Sequence, residues 1–189
     1  MTRGTLILVM GPTGSGKSVL MEHVREQLPE IQYLRTYTTR ERRSALENAS
    51  YQFIDKPSFE KMVADQEFIE WAEFAGNLYG TRKADIEEGL SAGRTLIKEM
   101  EVQGIRQMLA QLPREEVKIV YIDAGSWEEL ERRARARGSI TEEALAKRKQ
   151  RYDDELPFKA QADVVVENLP DRLEEAKAAL VSALLSIRG

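Results

Sequence analysis

The stretch LILVMGPTGSGKSVL, residues 6–20, decides the fold of this chain, because three predicted elements follow one another in it. The apolar residues 6–10 predict a buried strand, and the glycine-rich segment 11–16 predicts a loop. An apolar run after Lys17 and Ser18 predicts a helix. The glycines allow backbone angles that turn successive N–H groups toward one anion at the N-terminus of that helix. The stretch therefore predicts a phosphate-binding loop.

The spacing of the loop, G-x-x-x-x-G-K-S, gives two side chains a predicted role. Lys17 would reach the terminal phosphates of a nucleotide, and Ser18 would ligate Mg²⁺. The same pattern also occurs in unrelated chains as a glycine-rich connection with an incidental lysine, but the flanking strand and helix favour nucleotide binding. The residues predicted to bind ATP in this stretch are Gly11, Pro12, Thr13, Gly14, Ser15, Gly16, Lys17, Ser18 and Val19.

The composition limits the classes of partner and site. The 189 residues, of which 42% are hydrophobic, suit one globular domain. With 28 basic and 32 acidic side chains, the net charge of −4 gives no general reason to expect nucleic acid or an anionic membrane as a partner. The absence of cysteine excludes disulfides and cysteine metal sites. The first apolar run is too short for a signal peptide or a membrane span, so we expect a cytoplasmic protein.

Strand-like and helix-like segments alternate along the rest of the chain. Near-continuous apolar runs at 95–100, 117–123 and 162–168 predict buried strands, and helical segments separate them. This alternation predicts an α/β fold with a parallel sheet that helices cover on both faces.

Capping residues predict where the later helices begin. Ser126 with Glu129 has the pattern of a capping box, and Thr141 precedes acidic residues that suit a helix N-terminus. Pro170 and Asp171 precede the last helix. Its apolar stripe is predicted to consist of Leu173, Ala176, Leu180, Leu184 and Ile187.

Two regions break the alternation. Residues 31–82 are richer in aromatic and polar residues and predict a small lobe of short extended pieces inserted between core elements. Residues 131–156 are polar and predicted helical, and their basic side chains include Arg132, Arg133, Arg135, Arg137, Lys147, Arg148 and Arg151. Two basic regions beside one phosphate loop favour a kinase whose acceptor is itself a phosphate. Such an acceptor needs no general base, and we expect His23, the only histidine, to lie on the surface.

The chain resembles the guanylate kinase family, which consists of P-loop proteins that phosphorylate GMP with ATP. The resemblance covers essentially the whole chain and rests on GPTGSGKS, TYTTRERR, YQFI, EFIEWAEFAGNLYGT, EMEVQG and RARG, which occur in the family's order and approximate spacing. It implies a P-loop NTPase fold in one domain, with a GMP-binding lobe at about 34–82 and a helical lid at about 131–156. The core would then comprise residues 1–33, 83–130 and 157–189.

The resemblance also implies which residues hold GMP. Arg40 and Arg43 match the pair that grips the GMP phosphate, and the hydroxyls of Tyr51 and Tyr79 would assist them. Arginine suits this role because its planar fork binds two phosphate oxygens at once. Without the tyrosines and glycines that follow in register, the run RERR would be better interpreted as a solvated charge run.

Glu70 matches the residue that reads guanine. Guanine presents N1–H and N2–H side by side, and a carboxylate can accept both, whereas adenine presents no such pair on that edge. Thr36 and Thr81 match the hydroxyls that contact the base at O6 and around the amino group. We expect Trp71 and Phe74 to belong to the core of the lobe rather than to form a stacking platform.

Glu99 and Glu101 stand where the family usually has two aspartates. Acidic residues at a strand end near a phosphate loop can hold Mg²⁺ through water or orient a base-reading hydroxyl, so Glu101 is predicted to act toward GMP and Glu99 toward the metal. The extra methylene of glutamate leaves direct roles open for both. Lys98, beside them, is expected to face outward.

The predicted lid and the last strand supply further residues. Arg133, Arg137 and Arg148 match the arginines that close over the ATP phosphates, whereas Arg132 and Arg135 are expected to be solvated. Other matches lie elsewhere: Asn168 matches an asparagine near the adenine, although the aspartate that usually follows it is missing, and Asp123 inherits no role. The predicted catalytic residues are Lys17, Arg40, Arg43, Arg137 and Arg148.

The largest departure from the family is RERRSALENASYQF, residues 40–53. The segment is one residue shorter than usual, and it lacks a proline after the first arginine and a glycine and glutamate before the tyrosine. Glu47 is a candidate for the missing carboxylate, and we expect altered GMP binding rather than loss of the reaction. The resemblance implies ATP and GMP, with dGMP, as substrates, Mg²⁺ as cofactor, and a monomer or homodimer.

Two alternatives to this function remain open from the sequence. One is a non-catalytic guanylate kinase-like module that binds phosphopeptides, and the other is a related kinase with another phosphorylated acceptor, such as a sugar phosphate. The intact phosphate loop argues against the first and Glu70 argues against the second.

Overall fold

The computed structural model describes residues 3–188, apart from the side chains of residues 45 and 46. The chain alternates strands and helices, as the sequence predicts. Its strands and helices in chain order are β1 (Thr5–Met10), α1 (Lys17–Gln27), β2 (Gln32–Tyr33), β3 (Thr36–Thr38), β4 (Tyr51–Phe53), α2 (Lys56–Ala64), β5 (Phe68–Phe74), β6 (Asn77–Arg82), α3 (Lys83–Ser91), β7 (Thr95–Glu99), α4 (Val102–Leu109), β8 (Val117–Asp123), α5 (Trp127–Ala136), α6 (Glu142–Glu155), β9 (Val164–Glu167) and α7 (Leu173–Arg188). Short 3₁₀ helices lie at Ala45–Ala49, Arg114–Glu116 and Leu156–Gln161.

The larger sheet has five strands in the order β2-β7-β1-β8-β9. Strand β2 pairs in parallel with β7, and β8 pairs in parallel with β9. The five apolar residues that end β1 are each at most 1% exposed, which explains why this strand reads as a continuous apolar run. The predicted α/β fold with a parallel sheet flanked by helices is confirmed.

The chain divides into two compact units. The first unit runs through Ile7 and includes Ile31–Lys98 and Gln103–Val117, so it holds the predicted GMP-binding lobe. The second unit comprises Leu8–Glu30, Glu99–Val102 and the chain from Lys118 onward, so it holds the phosphate loop and the predicted lid.

A smaller four-stranded sheet, in the order β4-β3-β6-β5, lies in the first unit. Strands β5 and β6 form a hairpin whose two central turn residues, Ala75 and Gly76, have φ of 49° and 75°, as a type I′ turn requires. Phe59 of α2 stacks on Phe68 with ring centroids 4.4 Å apart, and Leu78 completes this small core. The predicted short extended pieces are present as β3, β4, β5 and β6, whereas helix α2 was not predicted from the sequence.

The prediction that Trp71 and Phe74 belong to the lobe core is wrong. Their exposed fractions are 43% and 56%. The pairing of β5 explains the difference for Phe74, because Phe68 lies opposite Arg82 at the open end of the hairpin, whereas Phe74 lies opposite Asn77 beside the turn and on the other face of the sheet.

The helix starts follow the predicted residues, with one correction. Thr141 caps α6 by accepting a hydrogen bond from the Ala144 N–H at 3.2 Å. Ser126 precedes α5 as predicted, but its side chain makes no capping bond and the predicted capping box does not form. Glu129 instead accepts hydrogen bonds from the guanidinium groups of Arg132 and Arg133. Each of these bonds joins two charged groups, whereas a capping box would pair the Glu129 carboxylate with an uncharged backbone N–H.

Helix α7 packs against α1 in the second unit. Ala176, Leu180 and Leu184 of its predicted stripe are fully buried, whereas Leu173 at its N-terminus is 38% exposed. Within residues 3–188, no helix combines the length and the apolar character that a membrane crossing needs.

The core of the small lobe should respond very differently from its surface to the loss of an aromatic ring. Phe59→Ala removes a fully buried ring and should lower the free energy of unfolding by about 3–5 kcal/mol, measured by urea denaturation. Phe74→Ala is the matched control and should change it by less than about 1 kcal/mol. Equal losses for the two variants would contradict this assignment of the core.

Candidate functional site

The phosphate loop connects β1 to α1 and depends on glycine at three positions. Gly14 and Gly16 have φ of 95° and 88°, and Gly16 is the N-cap of α1. At Gly11 a Cβ would lie 2.4 Å from the Ile122 carbonyl oxygen. Any side chain there would strain the loop, so the backbone can present its N–H groups at the helix N-terminus only with these glycines.

Lys17 is held over the loop. Its Nζ donates hydrogen bonds to the carbonyl oxygens of Gly11 and Pro12, the latter at 3.0 Å. Burial lowers the pKa of Lys17, and the charges of Glu99, Glu155 and Glu101 oppose that shift. The acidic side chains near Lys17 therefore help to keep it a cation.

Asn168, at the end of β9, supports the loop from the other side. Its side chain is 5% exposed, and its Nδ2 donates to the Ser15 carbonyl oxygen at 2.7 Å. Its own carbonyl oxygen accepts from Nη2 of Arg133 at 2.9 Å. The contact of Asn168 with adenine stays a prediction, whereas the structure shows that Asn168 fixes the loop backbone.

A cavity of about 310 Å³ lies beside the loop in the second unit. Six residues predicted to bind ATP line it, namely Gly14, Gly16, Val19, Arg133, Arg137 and Asn168. Its other lining residues are Arg132, Leu169, Pro170, Asp171 and Leu173. The apolar members of this second group were not predicted from the sequence, because the stretch LPDRL was interpreted only as the start of a helix.

The remaining predicted lid residue, Arg148, lies half-buried on α6. Arg148 is not among the described residues that line the cavity, so its role toward ATP stays a prediction. Arg135 bonds Glu131 and Glu142 on the helix surface, as expected of a solvated side chain. Arg132 is 63% exposed and also borders the cavity.

Three carboxylates act on Lys17 electrostatically, and one of them was not expected. Glu155, at the end of α6, is 8% exposed, and its Oε2 is buried without a hydrogen-bond partner in the described structure. Burial raises the pKa of Glu155 to about 7, an effect that Lys17 opposes and Glu101 adds to. The polar sequence around Glu155 gives no sign of burial, so the sequence could not have identified it.

The predicted metal ligands lie in the second unit. Ser18 is exposed at the first turn of α1, and Glu99 is exposed at the end of β7. Desolvation at the strand end raises the pKa of Glu99, and Lys17 opposes this. Among residues 3–188, no three His, Cys, Asp or Glu side chains cluster in a way that could hold a metal ion. Glu101 also lies in the second unit near Lys17, and its predicted role toward GMP stays a prediction.

Strand register gathers the predicted GMP-binding residues on one face of the smaller sheet. Glu70 lies opposite Thr81, and Thr36 lies opposite Tyr51. Tyr79 is two residues from Thr81 on β6, and residues two apart on a strand point to the same face. The opposite face carries Tyr37, Phe68 and Leu78 of the lobe core.

The residues predicted to read the base take part in hydrogen bonds. The Thr81 hydroxyl donates to Oε1 of Glu70, and Nζ of Lys98 donates to Oγ1 of Thr36 at 2.6 Å. The expectation that Lys98 faces outward is wrong, since Lys98 is 5% exposed. Burial lowers the pKa of Lys98 to about 8, while Glu70 and Asp85 oppose the shift. The residues two positions before and after Lys98 are apolar, and residues two apart on a strand point to the same side, so this pattern indicates a buried side chain. The prediction for Lys98 did not use that signal.

The predicted phosphate-binding end of the lobe is organised by Glu47. Its Oε1 accepts from Nη2 of Arg40 at 2.7 Å, and its Oε2 accepts from the backbone N–H of Arg43 at 2.8 Å. The Arg40 guanidinium holds the pKa of Glu47 below its usual range. Arg40 also lies over the ring of Tyr51 at 5.2 Å, while the side chain of Arg43 is exposed. Glu47 thus fixes the segment in which the sequence departs most from the family.

Comparisons with known proteins agree with this geometry. The family model described as "Guanylate kinase" matches residues 3–186. A guanylate kinase from Trichormus variabilis is 40% identical over 182 residues, which cover 96% of this chain and 89% of that protein. One from Synechococcus elongatus is 38% identical over 98% of this chain and 100% of its own length. The crystal structure of guanylate kinase from Anaplasma phagocytophilum superposes with a TM-score of 0.70 at 25% identity, covering 99% of this chain and 87% of that one.

Glu155 should make the stability of the protein depend on pH. Because its pKa is raised from 4.5 to about 7, the folded protein keeps a proton that the unfolded chain releases between these values. Its contribution to stability is therefore complete below about pH 4.5 and is lost as the pH rises through about 7. Urea denaturation should show Glu155→Gln gaining stability relative to the wild type between pH 5 and pH 8. Asp153→Asn, at an exposed position of the same helix, should show no such gain, and the same gain in both variants would contradict the assignment.

Glu47 should matter for the acceptor nucleotide only. Glu47→Ala frees Arg40 and two backbone N–H groups, so we expect the KM for GMP to rise about tenfold while the KM for ATP stays unchanged. Steady-state kinetics with each nucleotide varied in turn would measure this. Glu41→Ala is the matched control, because Arg40 contacts only the backbone carbonyl of Glu41. A rise in both KM values would mean that Glu47 acts on the fold rather than on the acceptor.

Proposed function

The chain belongs to the guanylate kinase family, and we propose that it holds ATP at the phosphate loop of the second unit and GMP on the polar face of the smaller sheet. The reaction is the ATP-dependent phosphorylation of GMP, which yields GDP and ADP. The placement of Glu70 opposite Thr81, on the face that also carries Thr36, Tyr51 and Tyr79, is the observation that carries the assignment of the acceptor. An acceptor-only carboxylate at that position suits the N1–H and N2–H donors of guanine.

The loop would bind ATP through its backbone N–H groups and Lys17. In the described state the Lys17 ammonium is bonded to two loop carbonyls, so the β- and γ-phosphates would replace those acceptors. The adjacent cavity would receive the nucleoside, with Leu169 and Leu173 as apolar walls. Arg133 and Arg137, at its edge, would contact the phosphates.

A magnesium ion fits the oxygen ligands near the loop. The Ser18 hydroxyl and, with intervening water, the Glu99 carboxylate would hold it, since Mg²⁺ prefers hard oxygen ligands and keeps much of its water. When bound, the ion would supply positive charge that offsets the negative charge of the phosphates. Lys17 adds a positive charge at the same end of the loop.

GMP would be held at both of its ends. Arg40 and Arg43 would grip its phosphate with the hydroxyls of Tyr51 and Tyr79, and Glu47 would keep Arg40 in place. At the other end, Glu70, Thr36 and Thr81 would bind the guanine edge, and Thr81 already donates to Glu70. A nucleotide would contact both groups of residues, whereas a free base or a small phosphate would contact only one of them.

Catalysis would consist mainly of positioning and charge neutralisation. A phosphate monoester oxygen is already an ionised nucleophile near neutral pH, so no general base is required. The residues proposed to be catalytic are Lys17, Arg40, Arg43, Arg137 and Arg148. In-line transfer requires the GMP phosphate to meet the γ-phosphorus with water excluded, so opening for product release is a candidate for the slow step.

Some expectations stay predictions. Use of dGMP, a cytoplasmic location, a monomeric or homodimeric state, and the absence of nucleic acid or membrane partners are among them. So is the division into a core, a GMP-binding lobe at about 34–82 and a lid at about 131–156.

The function can be tested with purified protein, Mg·ATP and a set of acceptors that includes GMP, dGMP, AMP, CMP, UMP and ribose phosphates. Anion-exchange chromatography should show phosphorylation of GMP and dGMP only. Lys17→Ala should lower kcat by about 10²-fold or more, because it removes a cation that acts on the transition state. Glu70→Gln should lower kcat/KM for GMP with the KM for ATP unchanged.

Lys61→Ala is the control for Lys17→Ala, since Lys61 is an exposed lysine on α2. Full activity of Lys17→Ala would refute the proposed ATP site. Binding of GMP without phosphorylation of any acceptor would favour the binding-module alternative. Phosphorylation of a sugar phosphate in place of GMP would favour the other alternative.

A further inference from the structure

Lys98 is a buried lysine for which the proposed mechanism has no role. It lies on β7, is 5% exposed, and follows the fully buried Ile97. Lysine is rarely buried, because an ammonium group taken out of water needs compensating partners. A lysine in this place therefore calls for an account of what its charge does.

The partners of Lys98 belong to the proposed guanine-binding face. Its Nζ donates to Oγ1 of Thr36 at 2.6 Å. Among the charged groups near it are Glu70, which also accepts from Thr81, and Asp85 of α3. All of these residues lie in the first unit.

The bond from Lys98 determines how Thr36 can act. A threonine hydroxyl has one hydrogen and two lone pairs, so on its own it can be donor or acceptor toward a ligand. An ammonium group has only hydrogens to offer, so Thr36 Oγ1 must accept from Lys98. The hydroxyl then keeps its hydrogen and one lone pair. The positive charge of Lys98 beside it favours an acceptor over a donor as the next partner, so Lys98 biases Thr36 toward donating.

This pattern of donors and acceptors suits guanine and opposes adenine. Guanine presents the O6 acceptor beside N1–H and N2–H, and adenine presents an amino donor where guanine has O6. Glu70 accepts only, and Thr36 bonded to Lys98 has its hydrogen free beside a cation. An adenine amino group placed against Thr36 would find one lone pair, but its partial positive charge would be repelled by the Lys98 ammonium. Guanine would find a partner for each polar atom.

We propose that Lys98 is a positioning residue for base specificity, which biases the Thr36 hydroxyl toward donating a hydrogen bond to O6 of the acceptor base. The inference rests on the proposed function, since it requires that this face binds GMP. Lys98 acts through Thr36 and contributes to discrimination against AMP in addition to Glu70. It does not take part in phosphoryl transfer.

The first test replaces Lys98 with methionine, which keeps most of the stem and removes the donor. Binding of GMP, IMP and AMP would be measured by titration calorimetry, and kcat and KM by steady-state kinetics. IMP retains O6 and N1–H but lacks the 2-amino group that Glu70 reads. We expect Lys98→Met to weaken GMP and IMP by the same factor, about tenfold or more, and to leave AMP unchanged or stronger. The KM for ATP should not change.

Two further variants separate positioning from a structural role. Lys56→Met removes an exposed lysine of the same unit and should leave all three affinities unchanged. Thr36→Val removes the hydroxyl, and the double variant of Lys98 and Thr36 should bind GMP no more weakly than the weaker single variant. Additive losses would mean that Lys98 acts independently of Thr36 and would overturn the proposal. So would an equal loss for GMP, IMP and AMP, which is the result expected if Lys98 only neutralises Glu70 and Asp85.

The outcomes distinguish this inference from the proposed function. If the wild type phosphorylates GMP and Lys98→Met keeps the wild-type ratio of GMP to AMP affinity, the inference is overturned and the function stands. If the wild type binds GMP without phosphorylating it, the function fails while the binding ratios still test Lys98. If it does not bind GMP, both fail. Should Lys98→Met not fold, as judged by thermal unfolding, Thr36→Val alone must show the loss confined to GMP and IMP, and its absence overturns the proposal.

Discussion

The chain can hold a phosphate because three positions between β1 and α1 carry no Cβ. At Gly11 the backbone of β8 comes too close for a side chain, and Gly14 and Gly16 adopt positive φ. Much of the second unit supports this one turn. The fully buried β1 fixes where it begins, and α1 continues from its last glycine. The side-chain amide of Asn168 donates to the carbonyl oxygen of Ser15 in the middle of the turn. The guanidinium of Arg133 donates to the backbone carbonyl oxygen of Asn168.

The first unit solves a different problem, which is to gather polar side chains from four short strands on one face of a sheet. Register does this, because one face of the smaller sheet packs on α2 while the other carries Glu70, Thr81, Tyr79 and Thr36. A slip of one residue in β6 would move Tyr79 and Thr81 to the packed face. The stacked rings of Phe59 and Phe68 therefore matter for the site although they lie on its other side.

Much of this architecture could be predicted from the sequence, and the failures have physical causes. The loop, the parallel strands and the inserted lobe follow from short-range patterns of glycine and apolar residues. Glu155 could not be placed, because burial of a single charged residue depends on which strands and helices surround it, whereas the apolar neighbours of Lys98 along β7 did carry a signal. Trp71 and Phe74 were misassigned because the hydrophobicity of a residue does not show whether its position in a hairpin is packed or exposed. The capping box at Ser126 fails because Glu129 has two arginines within reach, a competition that the four-residue pattern ignores.

The pair formed by Arg40 and Glu47 has a consequence for the thermodynamics of binding. The two residues are seven apart, and their hydrogen bond closes a small ring of chain that also includes the backbone N–H of Arg43. The rotational freedom of the Arg40 side chain is therefore lost when the protein folds and not when a ligand arrives. A phosphate group then meets a cation whose orientation is already fixed, which reduces the entropic cost of association. A segment one residue shorter than the family's usual length is compatible with tight binding of a phosphate, because a shorter loop has fewer conformations to lose when the ligand binds.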